Sequence, residues 1–180
     1  MRWLRWMSLA AALLLVGCVH SGRAADARAE PPKEGFSLGQ RPPAFSVLDL
    51  KGQRQTLKQY RGQIVVLHFW ASWCPYCRGE IPKLLQIHAQ HSSQGVTILT
   101  VSIDHDIEQL KAFVQQAGLP YSVIPDARSE SSLASAYGVR GIPVTYILDR
   151  DGRVAFQSFG SGDLVGAVQY LLEKSPAPST

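Results

Sequence analysis

The chain of 180 residues holds three cysteines, and two of them, Cys74 and Cys77, stand two residues apart in the stretch FWASWCPYCRGEIP. A pair at this spacing can serve as a structural disulfide, as half of a metal site, or as a dithiol–disulfide couple that carries electrons. A staple across so short a loop constrains little of the unfolded chain, because the entropic gain grows with the loop it closes. A structural zinc ion needs four ligands, and no second Cys-x-x-Cys or Cys/His cluster at suitable spacing completes one. The redox couple remains.

The two sulfurs have different prospects. The pair follows an apolar run and precedes a helical pattern, so Cys74 is expected at the first turn of a helix, facing unpaired backbone N–H groups and the positive end of the dipole. Both favour thiolate, which makes Cys74 the nucleophile. Cys77, one turn on and deeper, suits the resolving thiol that attacks a mixed disulfide. Other candidates are weaker. His88 and His91 have helical spacing for a metal pair but lack a visible third ligand, and Asp104 and His105 end a strand at what should be the active edge, where a loop role is expected.

The elements that must position the couple can be read from periodicity. IVVLHFW (64–70) is apolar nearly throughout, as a central strand covered on both faces should be. A helix follows to about His91, with Ile81, Leu84, Leu85 and His88 at helical spacing and a kink expected at Pro82. VTILTVSID (96–104) is the next strand, and residues 106–118 the next helix, with Ile107, Leu110, Phe113 and Val114 buried and Gly118 as its stop. This order predicts a parallel sheet with helical crossovers.

Before it, AFSVLDLKGQRQTL carries a hairpin signal around Lys51 and Gly52. After it come a short strand at 121–124, a short helix at 131–137, a hairpin across Asp151 and Gly152, and an amphipathic last helix capped by Asp163. The predicted boundaries are a folded domain over 36–175 and a loose tail over 176–180.

The start of the chain reads as a targeting segment. MRWLRWMSLAAALLLVGC has two arginines, an apolar run too short to span a bilayer comfortably, and a small residue before Cys18. LVGC resembles the lipobox of bacterial lipoproteins. This predicts a signal peptide over 1–17, lipidation of Cys18, and a flexible tether over 18–35. Trp3 and Trp6 fall in the signal and carry no chemistry. Without Arg2 and Arg5, sixteen Lys and Arg face fourteen Asp and Glu, which makes no case for a nucleic-acid partner.

FWASWCPYC, then Pro82, then GIPVTYILDRDG resembles the thioredoxin superfamily. With the leading hairpin and a central helical insertion, residues 36 to 174 most resemble its TlpA/ResA-type membrane-tethered thiol-disulfide reductases. The resemblance implies an α/β fold, a central mixed sheet flanked by helices. It also implies a cis peptide between Ile142 and Pro143 facing the cysteines, and Trp73 flanking the nucleophile. Pro75 and Tyr76 between the cysteines resemble the glutaredoxin pair. His68 stands where thioredoxin has a buried acid, which leaves a core histidine or a proton handler for Cys77. Glu80 matches an acidic position of the ResA-type proteins, where a negative charge disfavours thiolate and makes the dithiol a better reductant.

The expected function is therefore a disulfide reductase acting on exported proteins, lipid-anchored outside the cytoplasmic membrane and recharged by a membrane electron donor, with no cofactor beyond the Cys74–Cys77 disulfide and no metal. Apocytochrome c, a copper-site protein and oxidatively damaged thiols are all candidate substrates. The rivals are a disulfide-forming oxidase and, from another class, a copper-binding metallochaperone of the same fold. A peroxiredoxin is disfavoured because Leu67 and Ala71 occupy the positions of its Pro and Thr/Ser.

Overall fold

The computed structural model describes residues 35–127 and 132–175. The signal expected over 1–17, Cys18 with its lipid, residues 19–34 of the tether and the tail over 176–180 lie outside the described residues. Two strands, β1 (Ser46–Leu48) and β2 (Arg54–Thr56), form an antiparallel hairpin. Its turn is tied by Asp49, whose carboxylate accepts from the N–H groups of Lys51 and Gln53, both at 2.9 Å.

The main sheet contains β3 (Ile64–Trp70), β4 (Val96–Ser102), β5 (Ser122–Pro125), β6 (Val144–Leu148) and β7 (Val154–Phe159), in the order β5-β4-β3-β6-β7. The sheet is mixed, and its strand directions divide at the centre. β3 pairs in parallel with β4 and antiparallel with β6, and all seven of its residues are buried. This is why its sequence is apolar without alternation.

Between the strands run α1 (Pro75–His91), α2 (Ile107–Ala117) and α3 (Leu133–Ala136), and α4 (Leu164–Lys174) closes the chain. Right-handed crossovers taken in one direction from β3 to β4 to β5 place α1 and α2 on the same face. There Trp70 stacks on Phe113 of α2, and α4 packs beside α1. On the other face Phe69 and Tyr146 meet Tyr137 beyond α3 and Phe36 from the leading segment. Burying each such ring contributes up to about 3 kcal/mol, so the sheet is fixed from both sides.

Three details bear on the sequence expectation. α1 buries Cys77, Glu80, Ile81, Leu84 and Ile87, while Leu85 and His88 are only half-buried. The helix packs on the sheet and, along its flank, against α4, and Lys83 answers the Glu80 carboxylate. Second, the helix runs unbroken through Pro82, whose ring lies on the exposed side, where water can serve the Arg78 carbonyl it leaves without a helical donor. Third, β4 ends at Ser102 and not at residue 104, because Asp104 turns back to accept hydrogen bonds from two serines.

Candidate active site

Cys74 is the N-cap of α1, with φ −84° and ψ 114°, and Pro75 takes the first helical position, where a missing N–H costs nothing. The Cys74 sulfur accepts from the Cys77 N–H at 3.3 Å, which is the cap hydrogen bond of the helix. A disulfide joins the two residues. Cys74 is 5% exposed and Cys77 0%, so an incoming group meets Cys74. On either side stand Trp73, 57% exposed, and Tyr76, 76% exposed, two large apolar faces left in water beside the sulfur.

The loop ahead of Cys74 is held by Asp104, for which the sequence suggested a loop role, and by Ser72 and Arg78, which the sequence did not single out. Asp104, buried, accepts from the Ser72 N–H at 2.9 Å and from the Ser72 hydroxyl at 2.6 Å, and also from the Ser102 hydroxyl. The Ser72 carbonyl in turn accepts from Arg78 Nε at 2.5 Å, and the Arg78 guanidinium lies 5.1 Å over the Phe113 ring. Nothing in the spacing of Ser72 or Arg78 could have announced this. Their partner Asp104 comes from the next strand, and its neighbour His105 is exposed and takes no part.

Pro143 immediately precedes β6, the strand beside the couple. Val144 is paired with Phe69 near the end of β3, and the Ile142–Pro143 peptide is cis. The Pro143 carbonyl accepts from the Gly160 N–H at 2.8 Å, so the backbone left to receive another chain there is that of Ile142. Ile142, Pro143 and the exposed Phe159 line a largely apolar cavity of about 440 Å3.

Beneath the couple the sheet is polar. Directly opposed residues share a face, so Thr100, His68, Thr145 and Ser158 form one buried row across four strands on the side of α1 and α4. His68 Nδ1 and the Thr145 hydroxyl share a hydrogen bond of 2.9 Å, so this histidine is held by a side chain and not by backbone. Burial pushes its pKa down to about 3, which keeps the ring neutral at working pH. It therefore adds no positive charge that would favour thiolate. One turn beyond Cys77, buried Glu80 pairs with Lys83 Nζ at 2.8 Å, and the same ammonium donates to the Gly162 carbonyl at 3.1 Å. Glu80 Oε2, His68 Nε2 and Trp70 Nε1 are buried without a protein partner.

His88 lies edge-on to Tyr121 at 6.2 Å, His91 ends α1, and among the described residues no three His, Cys, Asp or Glu converge to hold a metal ion. Among the described residues no helix is long and apolar enough to cross a membrane.

The family model described as AhpC/TSA matches residues 38–157. The chain is similar to the thiol-disulfide oxidoreductase ResA of Bacillus anthracis, 32% identical over 144 residues, which cover 80% of this chain and 82% of that protein. It is also 32% identical over 122 residues to ResA of Geobacillus thermodenitrificans, covering 68% of this chain and 69% of the relative. Among solved structures, the thioredoxin domain of a thiol-disulfide oxidoreductase from Bacteroides vulgatus superposes with a TM-score of 0.68 at 26% identity, over 76% of this chain and 98% of the other. A thiol:disulfide interchange protein from a Bacteroides species gives a TM-score of 0.68 at 25% identity, over 77% of this chain and 91% of the other.

Proposed function

The chain belongs to the AhpC/TSA family of thioredoxin fold and is a thiol-disulfide oxidoreductase; from that premise we propose that it works as a reductase, opening disulfides in exported proteins. The Cys74 thiolate attacks one sulfur of the substrate disulfide, and the other sulfur leaves as a thiol once protonated. Cys77 then loses its proton and attacks Cys74, releasing the second substrate thiol and leaving the Cys74–Cys77 disulfide. Two electrons and two protons pass from the enzyme dithiol to the substrate, and a membrane electron donor restores the dithiol. No cofactor beyond this disulfide is needed, and no metal or nucleic acid enters.

The observation that carries the direction is the charge around the buried thiol. Glu80, with half-exposed Lys83 as its partner, stands one turn from Cys77, while His68, buried on the sheet, stays neutral. Anions disfavour thiolate and so make the dithiol the less stable, more reducing partner. The helix terminus acts on Cys74 in the opposite sense, so the balance is measured and not assumed. Equilibration against glutathione buffers decides it: a potential in the range of thioredoxin, about −270 mV, supports the reductase, and one near −120 mV makes it a disulfide-forming oxidase.

Trapping mixed disulfides with Cys77→Ser in the native host names the substrates, apocytochrome c and copper-site proteins among them. The same reading places the domain outside the cytoplasmic membrane, held by lipid on Cys18. Changing Cys18 to Ser should abolish lipid labelling while leaving thiol exchange in solution intact, and persistent labelling would remove the anchor. A copper metallochaperone would instead bind Cu(I) tightly and stoichiometrically at the reduced pair.

A further inference from the structure

A second groove opens on the other side of the couple from Pro143. It holds about 320 Å3, and its lining includes Ser72, Trp73, Arg78, Gln109, Phe113 and Gln116. It shares no residue with the apolar cavity around Pro143, and it begins at Trp73, the residue before Cys74. A polypeptide joined through its own cysteine to Cys74 therefore passes within a residue or two of this groove. Its volume corresponds to roughly ten waters, room for one or two side chains.

The chemistry of the lining is one-sided. Arg78 supplies a full positive charge, fixed in direction because its Nε is committed to the Ser72 carbonyl and its plane rests over Phe113. Among the described residues no carboxylate pairs with Arg78, and the lining contains no acid. Asp104 reaches Ser72 only from the buried side, where it is already hydrogen-bonded to two serines. Gln109 and Gln116 add neutral amide groups on the α2 wall. A guanidinium with two nitrogens still free to donate, beside neutral amides and an aromatic wall, is suited to a carboxylate.

We propose that this groove is a specificity subsite that seats an Asp or Glu side chain lying within a few residues of the substrate cysteine. The proposal rests on the reductase function given above and adds the class of sequence it prefers. The wall that supplies Phe113, Gln109 and Gln116 is α2, so the helix between β4 and β5 acts as a selector and not as filler.

The test uses the reduced protein and synthetic peptides closed by one disulfide, identical except for Glu or Gln at each position flanking the cysteine in turn, with peptide thiols quantified by chromatography. At one or more flanking positions the Glu peptide should be reduced about tenfold more efficiently in kcat/KM than its Gln twin, and the advantage should shrink as salt rises. Arg78→Gln should remove the difference. Gln109→Glu, an exposed helix position that tolerates substitution, should remove or invert it even if the Arg78 variant folds poorly. Equal efficiency for all pairs, while both twins and hydroxyethyl disulfide are turned over, overturns the subsite and leaves the reductase standing. No turnover of any disulfide overturns both.

Discussion

Replacing Glu80 by Gln removes a buried charge one helical turn from the resolving thiol. Glu80 is 1% exposed, and among the described residues Lys83, at 2.8 Å from Oε1, is the only cation paired with it. Side chains three apart on a helix stand about 5–6 Å from one another, and two unit charges at ~6 Å interact by ~3 kcal/mol at an effective dielectric of 20. The Lys83 side chain is 38% exposed, so its opposing field is partly screened by water; taking about half of the carboxylate's effect as cancelled leaves ~1.5 kcal/mol. About 1.4 kcal/mol corresponds to one pKa unit, or to ~30 mV for a two-electron couple. Glu80→Gln should therefore ease thiolate formation by about one pH unit and raise the reduction potential by up to ~30 mV, toward the oxidant. Equilibration with glutathione gives the potential, and the pH dependence of iodoacetamide labelling gives the thiolate titration. Lys83→Gln supplies the opposite sign, since it strips the carboxylate of its partner. If both substitutions leave potential and labelling unchanged, the charge does not reach the couple and the argument for direction fails.

Three further outcomes follow from the site. His68 has a native pKa near 3 against an unfolded value of 6.5, so below pH 6.5 the unfolded chain takes up a proton that the native state refuses. Stability should fall by ~1.4 kcal/mol for each pH unit below about 6.5 from this group alone, and urea melts of His68→Asn should be flatter over pH 4 to 6.5; an equal slope would contradict the assignment. Alkylation of the reduced protein at neutral pH should label Cys74 before Cys77, because the first caps the helix and the second is fully buried; peptide mapping that finds equal or reversed labelling sinks the division of roles. Asp104→Ala leaves three buried donors on Ser72 and Ser102 without an acceptor and should cost about 3 kcal/mol or more of stability in a denaturant melt, whereas a loss under about 1 kcal/mol would show that the loop is held by something else.

The sequence disclosed whatever depends on local pattern. β3 was legible because seven consecutive residues lack a polar face apart from His68, and the last helix because Asp163 caps an amphipathic run. Cys74 and Cys77 stood out as a pair because a two-residue loop makes a poor staple and the sequence offers no further ligands for a structural zinc site. Contacts between distant segments were not legible in the same way. Asp104 lies 32 residues from the Ser72 it holds, and its role exists only because β4 lies parallel beside β3. The buried stripe of α1 was misjudged by about one position because periodicity reports which residues are apolar, and Glu80 is buried while polar. His68 showed the same limit. Its type offered two roles, and only its partner Thr145, 77 residues on, showed how it is held.

The positions of two tryptophans make the protein its own optical indicator. Trp70 is sealed against Phe113 at a centroid distance of 5.6 Å, while Trp73 projects into water one residue from the disulfide. An excited indole donates an electron to a nearby disulfide but not to a dithiol, so emission from Trp73 should be dark in the oxidised protein and bright, at the long wavelengths of a hydrated indole, in the reduced one. Trp70 emits to the blue from its dry setting, so the two indoles are distinguished by wavelength. The chain has four tryptophans, and the other two, Trp3 and Trp6, precede residue 35, so a chain begun there carries this pair alone. The emission then reports the redox state of the protein continuously, with no label attached to the thiols whose chemistry is being followed.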